Sequence, residues 1–312
     1  MSRGDQRPSV IDSPGRRVWQ RFLKHRLAVA SGIVLAILAV LALAAPLIED
    51  LLQVDAELAD LFNRLAAPSS EHWLGTDELG RDILARLLYG GQVSLSVGLA
   101  AALVSALIGT AIGLVAGFYG GRIDAFLMRF TDAVISLPIL PLLIVLAAVD
   151  LSKLGLPDTI VHAESATLYR IIAIIALVGW TTVARLVRAE TLSMRTREFV
   201  RAAEAQGASA WRIARVHILP NVVSPIIVAT TLSVGNIILF ESVLSFLGLG
   251  IQPPVASWGN MLTNAQDLIW DAPEVAFWPG LLIFATVIAF NFLGDGLQDA
   301  MDPRALDEPD VH

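Results

Sequence analysis

Cysteine is absent from all 312 residues of the chain, and charged residues make up only 16% of it. The lack of thiols excludes disulfide bonds and every form of cysteine chemistry. The low charge, beside 55% hydrophobic residues, sets the chain apart from soluble domains, in which roughly 25% of the residues are charged. The sequence also has no Gly-x-x-x-x-Gly-Lys-Ser/Thr run, which excludes that type of ATP-binding loop on this chain.

Long uncharged runs are the main feature of the sequence. Arg86 and Arg122 enclose 35 residues without a charge, and residues 27–48 form a further run of 22. Roughly 20 apolar residues cross a bilayer, and lipid leaves helices as the main way to satisfy the backbone, so the sequence predicts an all-α, polytopic membrane helix bundle. We place six transmembrane helices at 27–48, 93–118, 132–150, 168–188, 222–246 and 277–297.

The third, fourth and fifth spans carry irregularities. Pro138 and Pro141 predict a kink in the third span. The fourth is the least apolar, because Arg170 and Arg185 enclose only 14 uncharged residues, and we expect both arginines to reach opposite membrane interfaces. Glycines and prolines interrupt residues 242–266, which we interpret as a structured loop rather than a seventh span.

Basic residues are distributed unequally between the loops, and this distribution sets the orientation. With the N-terminus in the cytoplasm, inner segments hold 17 lysines and arginines and outer segments hold five. The asymmetry predicts cytoplasmic segments at 1–26, 189–221 and 305–312. It predicts an extracytoplasmic loop at 49–92, where nine residues are acidic.

The first span has two interpretations. It follows a basic stretch at 16–26 and contains Ala42-Leu43-Ala44, a pattern typical of a signal-peptidase site. A run of 22 apolar residues exceeds a usual signal core, and the leader before it is long. We therefore favour a retained N-terminal transmembrane helix over a cleaved signal peptide.

Small side chains recur at every fourth residue of the second span, in two rows. The rows are Ser94, Gly98, Ala102, Ala106 and Thr110, and Ser105, Gly109, Gly113 and Gly117. Rows of this kind let helices approach closely in lipid. The spacing fits an interface with a second subunit and, equally well, packing against the chain's own helices.

A charged segment at 196–221 separates the fourth and fifth spans. Residues 198–206 are strong helix formers, and Gly207 suits the left-handed conformation that ends a helix. Ser209 is a good cap for a second helix at 210–218. The sequence therefore predicts two short helices joined at a glycine, which together form a compact knob.

Pro220 is expected to stop the second of these helices before the next span. Ala202 and Ala203 give the knob a flat face suited to insertion into a groove on a partner. The expected apolar anchors beside that face are Phe199, Val200, Trp211 and Ile213. The alternative from the residues alone is an amphipathic segment bound to anionic lipid at the membrane surface.

Acidic residues and a histidine gather in one short stretch: Glu71, His72, Asp77, Glu78 and Asp82. His72 has no second histidine at a metal-ligand spacing, and Gly75 and Gly80 are typical of turns. We therefore favour a structural elbow along the membrane over acid–base catalysis or a metal site. Tryptophans are expected to anchor the protein at the membrane interface: Trp73, Trp258, Trp270 and Trp278.

Polar side chains within the apolar spans are candidates for a transport pathway, because their burial in lipid is costly. The candidates are Ser233, Asn236, Glu241 and Asn291. Ser233 and Asn236 share a helix face, which is typical of a polar pore lining. Hydrogen bonding between helices is the alternative, and it is favoured for any single residue of the set. Glu241 and Asp295 lie near span ends, where we expect them to face water.

The segment TREFVRAAEAQGASAWRIARVHILPN (196–221) resembles the coupling loop of ATP-binding-cassette importer permeases, which docks into a cleft on an ATPase subunit. Ala202-Ala203, Gly207 and Leu219-Pro220 match the pattern, whereas Arg201 stands where the general pattern begins with glutamate. The coupling residues that the resemblance implies are Glu198, Phe199, Val200, Arg201, Ala202, Ala203, Glu204, Gly207, Ala208, Ser209, His217, Leu219 and Pro220.

Other segments resemble the dipeptide, oligopeptide and nickel branch of these permeases. HWLGTDELGRDILARLLYGGQVSLSVG (72–98) is similar to the stretch that leads into the second span, and FYGGRIDAFLMRFTDAVISLP (118–138) to the next loop. ESVLSFLGLGIQPPVASWGNML (241–262) is similar to the loop after the fifth span, and LGDGLQDAMDPR (293–304) to the C-terminal end. The basic tail before one extra helix resembles the C-type member of the permease pair.

The resemblance implies a type I importer permease fold, with residues 93–304 as a core of five helices around the coupling loop at 189–221. It implies a non-catalytic subunit that forms half of a pore in a bacterial or archaeal inner membrane, with both termini cytoplasmic. The implied partners are a second and different permease, two ATP-binding-cassette subunits that carry ATP and Mg²⁺, an extracytoplasmic solute-binding protein, and membrane lipid. No cofactor, metal or nucleic acid is expected on this chain.

Di- or oligopeptides are the cargo that the resemblance implies, with nickel or another small solute as the alternative within the family. The stretch at 71–82 is then also a candidate contact for the solute-binding protein. A different class, a secondary transporter or channel that works alone, would need ionisable groups at mid-membrane. Such residues are nearly absent from the spans, which argues against that class.

Overall fold

The apolar runs of the sequence fold into helices that pack side by side. The computed structural model describes residues 14–149 and 166–302, and within these ranges it has no β-strand beyond an isolated bridge between Thr76 and Asp82. Five helices in these ranges are long and apolar enough to cross a membrane, and a bent pair makes six if it counts as one span. The predicted all-α membrane bundle is confirmed. The predicted tail at 305–312 lies outside the described residues, as does the start of the basic tail.

The N-terminal part contains three helices: α1 (Pro14–Lys24), α2 (Arg26–Leu43) and α3 (Ala45–Leu52). The described end of the predicted basic tail is therefore helical, and the first apolar run breaks before α3. His25 caps α2, because its Nδ1 accepts a hydrogen bond from the Ala28 N–H at 3.1 Å. The Ala42 carbonyl accepts from the Gln92 side chain at 2.7 Å, which ties the end of α2 to the next long helix.

That next helix, α4 (Ile83–Tyr119), is 37 residues long and begins ten residues before the predicted second span. Asp82 caps it by accepting a backbone hydrogen bond from its first turn at 2.8 Å. The last ten residues of the predicted loop at 49–92 are therefore helical. Arg86 is part of the helix because its charge is paired inside the protein, with Asp77 at 3.3 Å.

The third span consists of two helices rather than one kinked helix. α5 (Gly121–Ser136) and α6 (Ile139–Ala147) meet at an angle of 86°. The break lies at Leu137, whose backbone is extended with ψ 138°, because it precedes Pro138 and proline disfavours a helical conformation in the residue before it. Pro141 stands in the first turn of α6, where its missing N–H costs no hydrogen bond.

The remaining helices are α7 (Ala166–Arg195), α8 (Glu198–Ala205), α9 (Ala210–Phe246), α10 (Ala265–Leu268) and α11 (Pro273–Met301). α9 begins with a turn of α-helix and passes through a π-helical stretch, Ile213–Ile218, before its long regular part. Between α9 and α10 the described chain contains a short 3₁₀ turn, Asn260–Leu262, and no seventh span.

Small residues of α4 allow two neighbouring helices to approach closely. A Cβ atom at Gly113 would lie 2.6 Å from the Ala184 carbonyl oxygen of α7, and Gly109 approaches α7 as closely. In the other row, a Cβ atom at Gly98 would lie 2.6 Å from the Ile238 side chain of α9. These residues therefore pack against helices of their own chain, which is the second of the two interpretations above.

The loop after α9 is fixed to α4 by a buried tryptophan. Trp258 is 1% exposed, and its Nε1 donates to the Leu87 carbonyl at 2.9 Å. The prediction that Trp258 anchors the protein at the membrane interface is wrong, because Gly90 leaves room for its ring against α4. Trp73 and Trp270 are exposed, with Trp270 at 91%.

Glu241 is fully buried near the C-terminal end of α9. Its carboxylate accepts hydrogen bonds from the hydroxyls of Ser94 at 3.1 Å and Ser245 at 2.7 Å. The Ser245 hydroxyl accepts in turn from the Ile251 N–H at 2.9 Å, so the following loop belongs to the same cluster. The expectation that Glu241 faces water is wrong, whereas Asp295 on α11 is exposed as expected.

Candidate functional site

α8 and the start of α9 form a hairpin between two membrane helices. Gly207 joins them at φ +81°, in the left-handed region that favours glycine. Its N–H and that of Ala208 donate to carbonyls of α8 at 2.9 and 3.0 Å, which closes the end of that helix. The Ser209 side chain accepts from the Arg212 N–H at 3.4 Å and caps α9. The predicted first helix and the glycine after it are present, and a helix begins at Ala210 as predicted.

Pro220 does not stop the second helix, contrary to the prediction. The chain continues from Ala210 to Phe246 as one helix, with Pro220 in the first turn of its regular part. The π-helical stretch Ile213–Ile218 explains the continuity, because a wider turn accommodates a residue that cannot donate the usual backbone hydrogen bond. The hairpin is therefore continuous with a membrane helix.

One face of the hairpin is buried against the membrane helices. Val200 is fully buried, Ile213 is 2% exposed and Ala203 is 8% exposed. They form one apolar cluster with Val183, Val187, Ile218 and Val222, and Ala208 and Leu219 pack against it. The prediction that Val200 and Ile213 anchor a partner is wrong, because both side chains hold the hairpin to its own bundle. Of the alanine pair, Ala202 alone is exposed.

The opposite face of the hairpin is exposed and carries two aromatic rings. Trp211 is 74% exposed and Phe199 is 42% exposed, and the Phe199 ring lies 6.5 Å from the ring of His217. Charged residues of both signs surround them on the exposed face. We define the hairpin surface as Glu198, Phe199, Arg201, Ala202, Glu204 and Trp211. It combines apolar anchors with charge, the composition of a protein-docking surface.

A cavity of about 570 Å³ opens between the α5–α6 bend, α7 and α9. Its polar lining consists of Thr181, Thr182, Arg185, Ser233 and Asn236. The structure thus brings together Ser233 and Asn236, two of the four residues predicted to line a pathway. The other two lie elsewhere: Glu241 is in the buried cluster described above, and Asn291 donates to the Val287 carbonyl on α11 at 2.8 Å.

Arg185 lines this cavity. Its Nη2 donates to the Asp132 carboxylate of α5. Arg170, near the other end of α7, donates to the Leu249 carbonyl at 3.3 Å. Each of the two arginines thus has a polar partner within the bundle, and their position at opposite membrane interfaces stays a prediction.

The acidic stretch before α4 is held together by its own contacts. Asp77 pairs with Arg81 at 2.8 Å and with Arg86 at 3.3 Å. His72 lies 3.0 Å from Asp82, the residue that caps α4. Within the ranges that the structure describes, no group of three His, Cys, Asp or Glu side chains is placed to hold a metal ion. These contacts are typical of the structural elbow that the sequence favours.

Two family models match this chain. Residues 109–307 match “Binding-protein-dependent transport system inner membrane component”, and residues 13–68 match “N-terminal TM domain of oligopeptide transport permease C”. The chain belongs to this family of transport permeases. The first match covers the hairpin surface and the whole polar lining of the cavity, and the second covers helices α1 to α3.

The permease is similar to named transport subunits along nearly its whole length. It is 40% identical over 299 residues to the glutathione transport system permease protein GsiD of Pectobacterium atrosepticum, covering 96% of this chain and 94% of the relative. It is 39% identical over 292 residues to the dipeptide transport system permease protein DppC of Alkalihalophilus pseudofirmus, covering 94% and 90%. It is 39% identical over 300 residues to the oligopeptide transport system permease protein OppC of Escherichia coli K12, covering 94% of each.

These similarities establish a permease subunit of an ATP-binding-cassette importer, with several membrane helices in the inner membrane. The polar lining of the cavity could be predicted only in part from the sequence. Ser233 and Asn236 are polar residues within an apolar run and can be found from composition alone. Thr181, Thr182 and Arg185 lie on a different helix, and only the packing of α7 against α9 brings them to the same space.

Proposed function

We propose that this permease passes di- or oligopeptides across the membrane as half of a pore. The names of its relatives support this cargo, because dipeptides, oligopeptides and glutathione all contain peptide or peptide-like amide bonds. The cavity between α5, α7 and α9 would form the permease's share of the pathway. Its hydroxyl and amide groups suit a peptide backbone, and its apolar wall, which includes Val178, Ile237 and Phe240, suits side chains.

The hairpin surface is proposed to dock on a separate ATPase subunit. The exposure of Trp211 is the observation that carries this proposal, because a large apolar ring on a hairpin fixed by its other face is typical of an interface anchor. Arg201 lies on the same surface, so a positive charge stands where the general pattern of the family has an acidic one. A complementary carboxylate on the ATPase is therefore expected.

Force would pass from the ATPase into the bundle through the buried face of the hairpin. Val200 and Ile213 pack with Val183 and Val187 of α7, and α9 continues from the hairpin into the membrane without a break. A movement of the docked ATPase would therefore shift α7 and α9, which both line the cavity. ATP binding would in this way select one conformation of the pore over another.

The complete importer is proposed to contain a second and different permease, two ATPase subunits that bind ATP and Mg²⁺, and an extracytoplasmic binding protein. In this arrangement the chain itself is not catalytic and binds no cofactor. The segments 1–26, 189–221 and 305–312 face the cytoplasm, and the loop before α4 faces the binding protein. The first helix is retained in this proposal.

Reconstitution of the complete importer in proteoliposomes tests this function. Di- and oligopeptides, delivered by the binding protein, are expected to accelerate ATP hydrolysis and to accumulate inside. Nickel ions delivered in the same way serve as the competing cargo. Stimulation by nickel without stimulation by any peptide would contradict the proposal.

A further inference from the structure

Arg185 is an unusual residue for the place that it occupies. Among the described residues that line the cavity it is the one with a positive charge, and none of them is a carboxylate. A charged side chain held within a membrane-spanning helix is costly and therefore points to a function. The other described residues of the lining are polar but uncharged, or apolar.

The partner of Arg185 leaves part of its guanidinium available. Nη2 donates to one oxygen of Asp132, and both side chains are about half exposed, at 50% and 55%. A guanidinium has five N–H donors, and this contact uses one of them. The ion pair is therefore open to a second anion from the cavity.

Arg188, one turn further along α7, shows the contrast. Its Nε and Nη2 donate to both oxygens of Asp124, with the second contact at 2.6 Å. Both side chains are less exposed than those of Arg185 and Asp132, at 32% and 15%. Arg188 does not line the cavity. The Arg188–Asp124 pair thus joins α5 to α7, and it uses two N–H groups of the guanidinium to bind both oxygens of one carboxylate. Arg185 binds Asp132 through one N–H group and has the same paired arrangement available for another ligand.

The cavity also offers acceptors for a peptide backbone next to this cation. The hydroxyls of Thr181 and Ser233 donate to carbonyls of their own helices, at 3.3 and 2.7 Å. Their lone pairs are left to accept hydrogen bonds from peptide N–H groups. A cation at one position and acceptors beside it complement a C-terminal carboxylate followed by an amide N–H.

We infer that Arg185 binds a carboxylate of the cargo in the cavity, through the N–H donors that its contact with Asp132 leaves available. This inference rests on the proposed function, and it names the group by which the pore recognises a peptide. A guanidinium binds a carboxylate through two parallel hydrogen bonds, which gives both orientation and selectivity. The cargo named for the relatives, dipeptides, oligopeptides and glutathione, carries at least one free carboxylate.

A cysteine placed in the cavity reports on this contact without the binding protein. Because the natural chain has no cysteine, Thr182→Cys adds its only thiol. Thr182 lines the cavity and lies three residues before Arg185, on the same face of α7. The rate at which a small maleimide labels this chain is measured in the assembly of both permeases and the ATPase subunits, without the binding protein. Alanyl-alanine or its C-terminal amide is added at equal millimolar concentration.

Alanyl-alanine is expected to slow the labelling of Thr182→Cys, and the amide is expected to protect at least about tenfold more weakly, the usual effect of losing a charged hydrogen bond. Adding Arg185→Gln should abolish the difference between the two probes. Adding Arg188→Gln, the matched control on the same helix, should preserve it. Arg185→Lys keeps the positive charge but cannot form two parallel hydrogen bonds to a carboxylate, so it should reduce the difference in protection between the acid and the amide. This variant replaces Arg185→Gln in the test if the glutamine variant fails to assemble.

Equal protection by the acid and the amide, or a preference that survives Arg185→Gln, would overturn the inference. The proposed function would still stand in that case, provided that the wild-type importer accumulates alanyl-alanine when its binding protein delivers it. A wild-type importer that moves no peptide would contradict the proposed function instead.

Discussion

The Glu241 carboxylate and the Ser94 hydroxyl are 147 positions apart in the chain and 3.1 Å apart in the structure. The contact joins α9 to α4, and Ser94 also accepts a hydrogen bond from the Trp258 backbone N–H at 3.2 Å. One buried carboxylate thus connects two membrane helices and the loop that follows α9. The cluster explains why this polar group is tolerated in an apolar span.

Replacing Glu241 by alanine is expected to destabilise the protein by about 1–3 kcal/mol, because the hydroxyls of Ser94 and Ser245 lose their buried acceptor. Glu241→Gln keeps an acceptor oxygen and should cost less. The melting temperature of the purified permease in detergent measures both changes. Equal melting temperatures for Glu241→Ala and the wild type would show that the cluster does not stabilise the fold.

Replacing Trp258 by alanine is predicted to destabilise the protein far more than replacing Trp270 by alanine. Trp258→Ala removes a buried ring and its hydrogen bond to α4, and should cost about 3–5 kcal/mol. Trp270→Ala removes a ring that is 91% exposed and should change stability by no more than about 0.5 kcal/mol. Thermal unfolding of the two variants compares them directly, and a reversed order would contradict the placement of Trp258.

Gly113 is predicted to tolerate no side chain. A Cβ atom there would lie 2.6 Å from the Ala184 carbonyl oxygen, so Gly113→Leu must push α4 and α7 apart and should cost about 1–3 kcal/mol or more. Gly280 on α11 is the control, because nothing lies within 4 Å of a Cβ atom at that position. Size-exclusion profiles after graded heating measure the effect. A Gly113→Leu variant as stable as Gly280→Leu would contradict the close packing of α4 on α7.

Replacing Ala202 or Ala203 of the hairpin by glutamate is predicted to affect two different properties, the capture of the ATPase and the stability of the hairpin. Ala202 is exposed, so Ala202→Glu should leave the permease folded and weaken its capture of the ATPase. Ala203 is 8% exposed within an apolar cluster, so Ala203→Glu should destabilise the hairpin itself by burying a charge without a partner. Protease sensitivity of the hairpin separates the two effects. Equal sensitivity in both variants would contradict the assignment of the two faces.

The helices and the hairpin could be predicted from the sequence because each depends on neighbours in the chain. Apolar runs mark the spans, and Gly207 with Ser209 marks the connection between α8 and α9. The start of α4 could not be predicted in this way. Arg86 is a charge at the edge of the uncharged run in the sequence, yet Asp77, nine residues earlier, pairs with it inside the fold.

The lining of the cavity could not be predicted in full, because it depends on contacts between helices that are distant in the chain. Arg185 in the sequence is a charge near the end of a span, which favours a position at the interface. Its contact with Asp132, 53 residues earlier in the chain, and its place in the lining of the cavity depend on how α5 and α7 pack. The burial of Val200 also could not be predicted from the sequence, because the cluster that buries its side chain is formed by residues of α7 and α9.

Docking of an ATPase on the hairpin surface is the central claim, and capture of the ATPase by the purified permease tests it most directly. The wild type is expected to retain the ATPase, and the double variant Phe199→Ala with Trp211→Ala should weaken capture by about thirtyfold, the effect of losing an interface hot spot. Val216→Ala is the control, because Val216 is 54% exposed on the same hairpin but lies outside the hairpin surface. Undiminished capture by the folded double variant would contradict the claim.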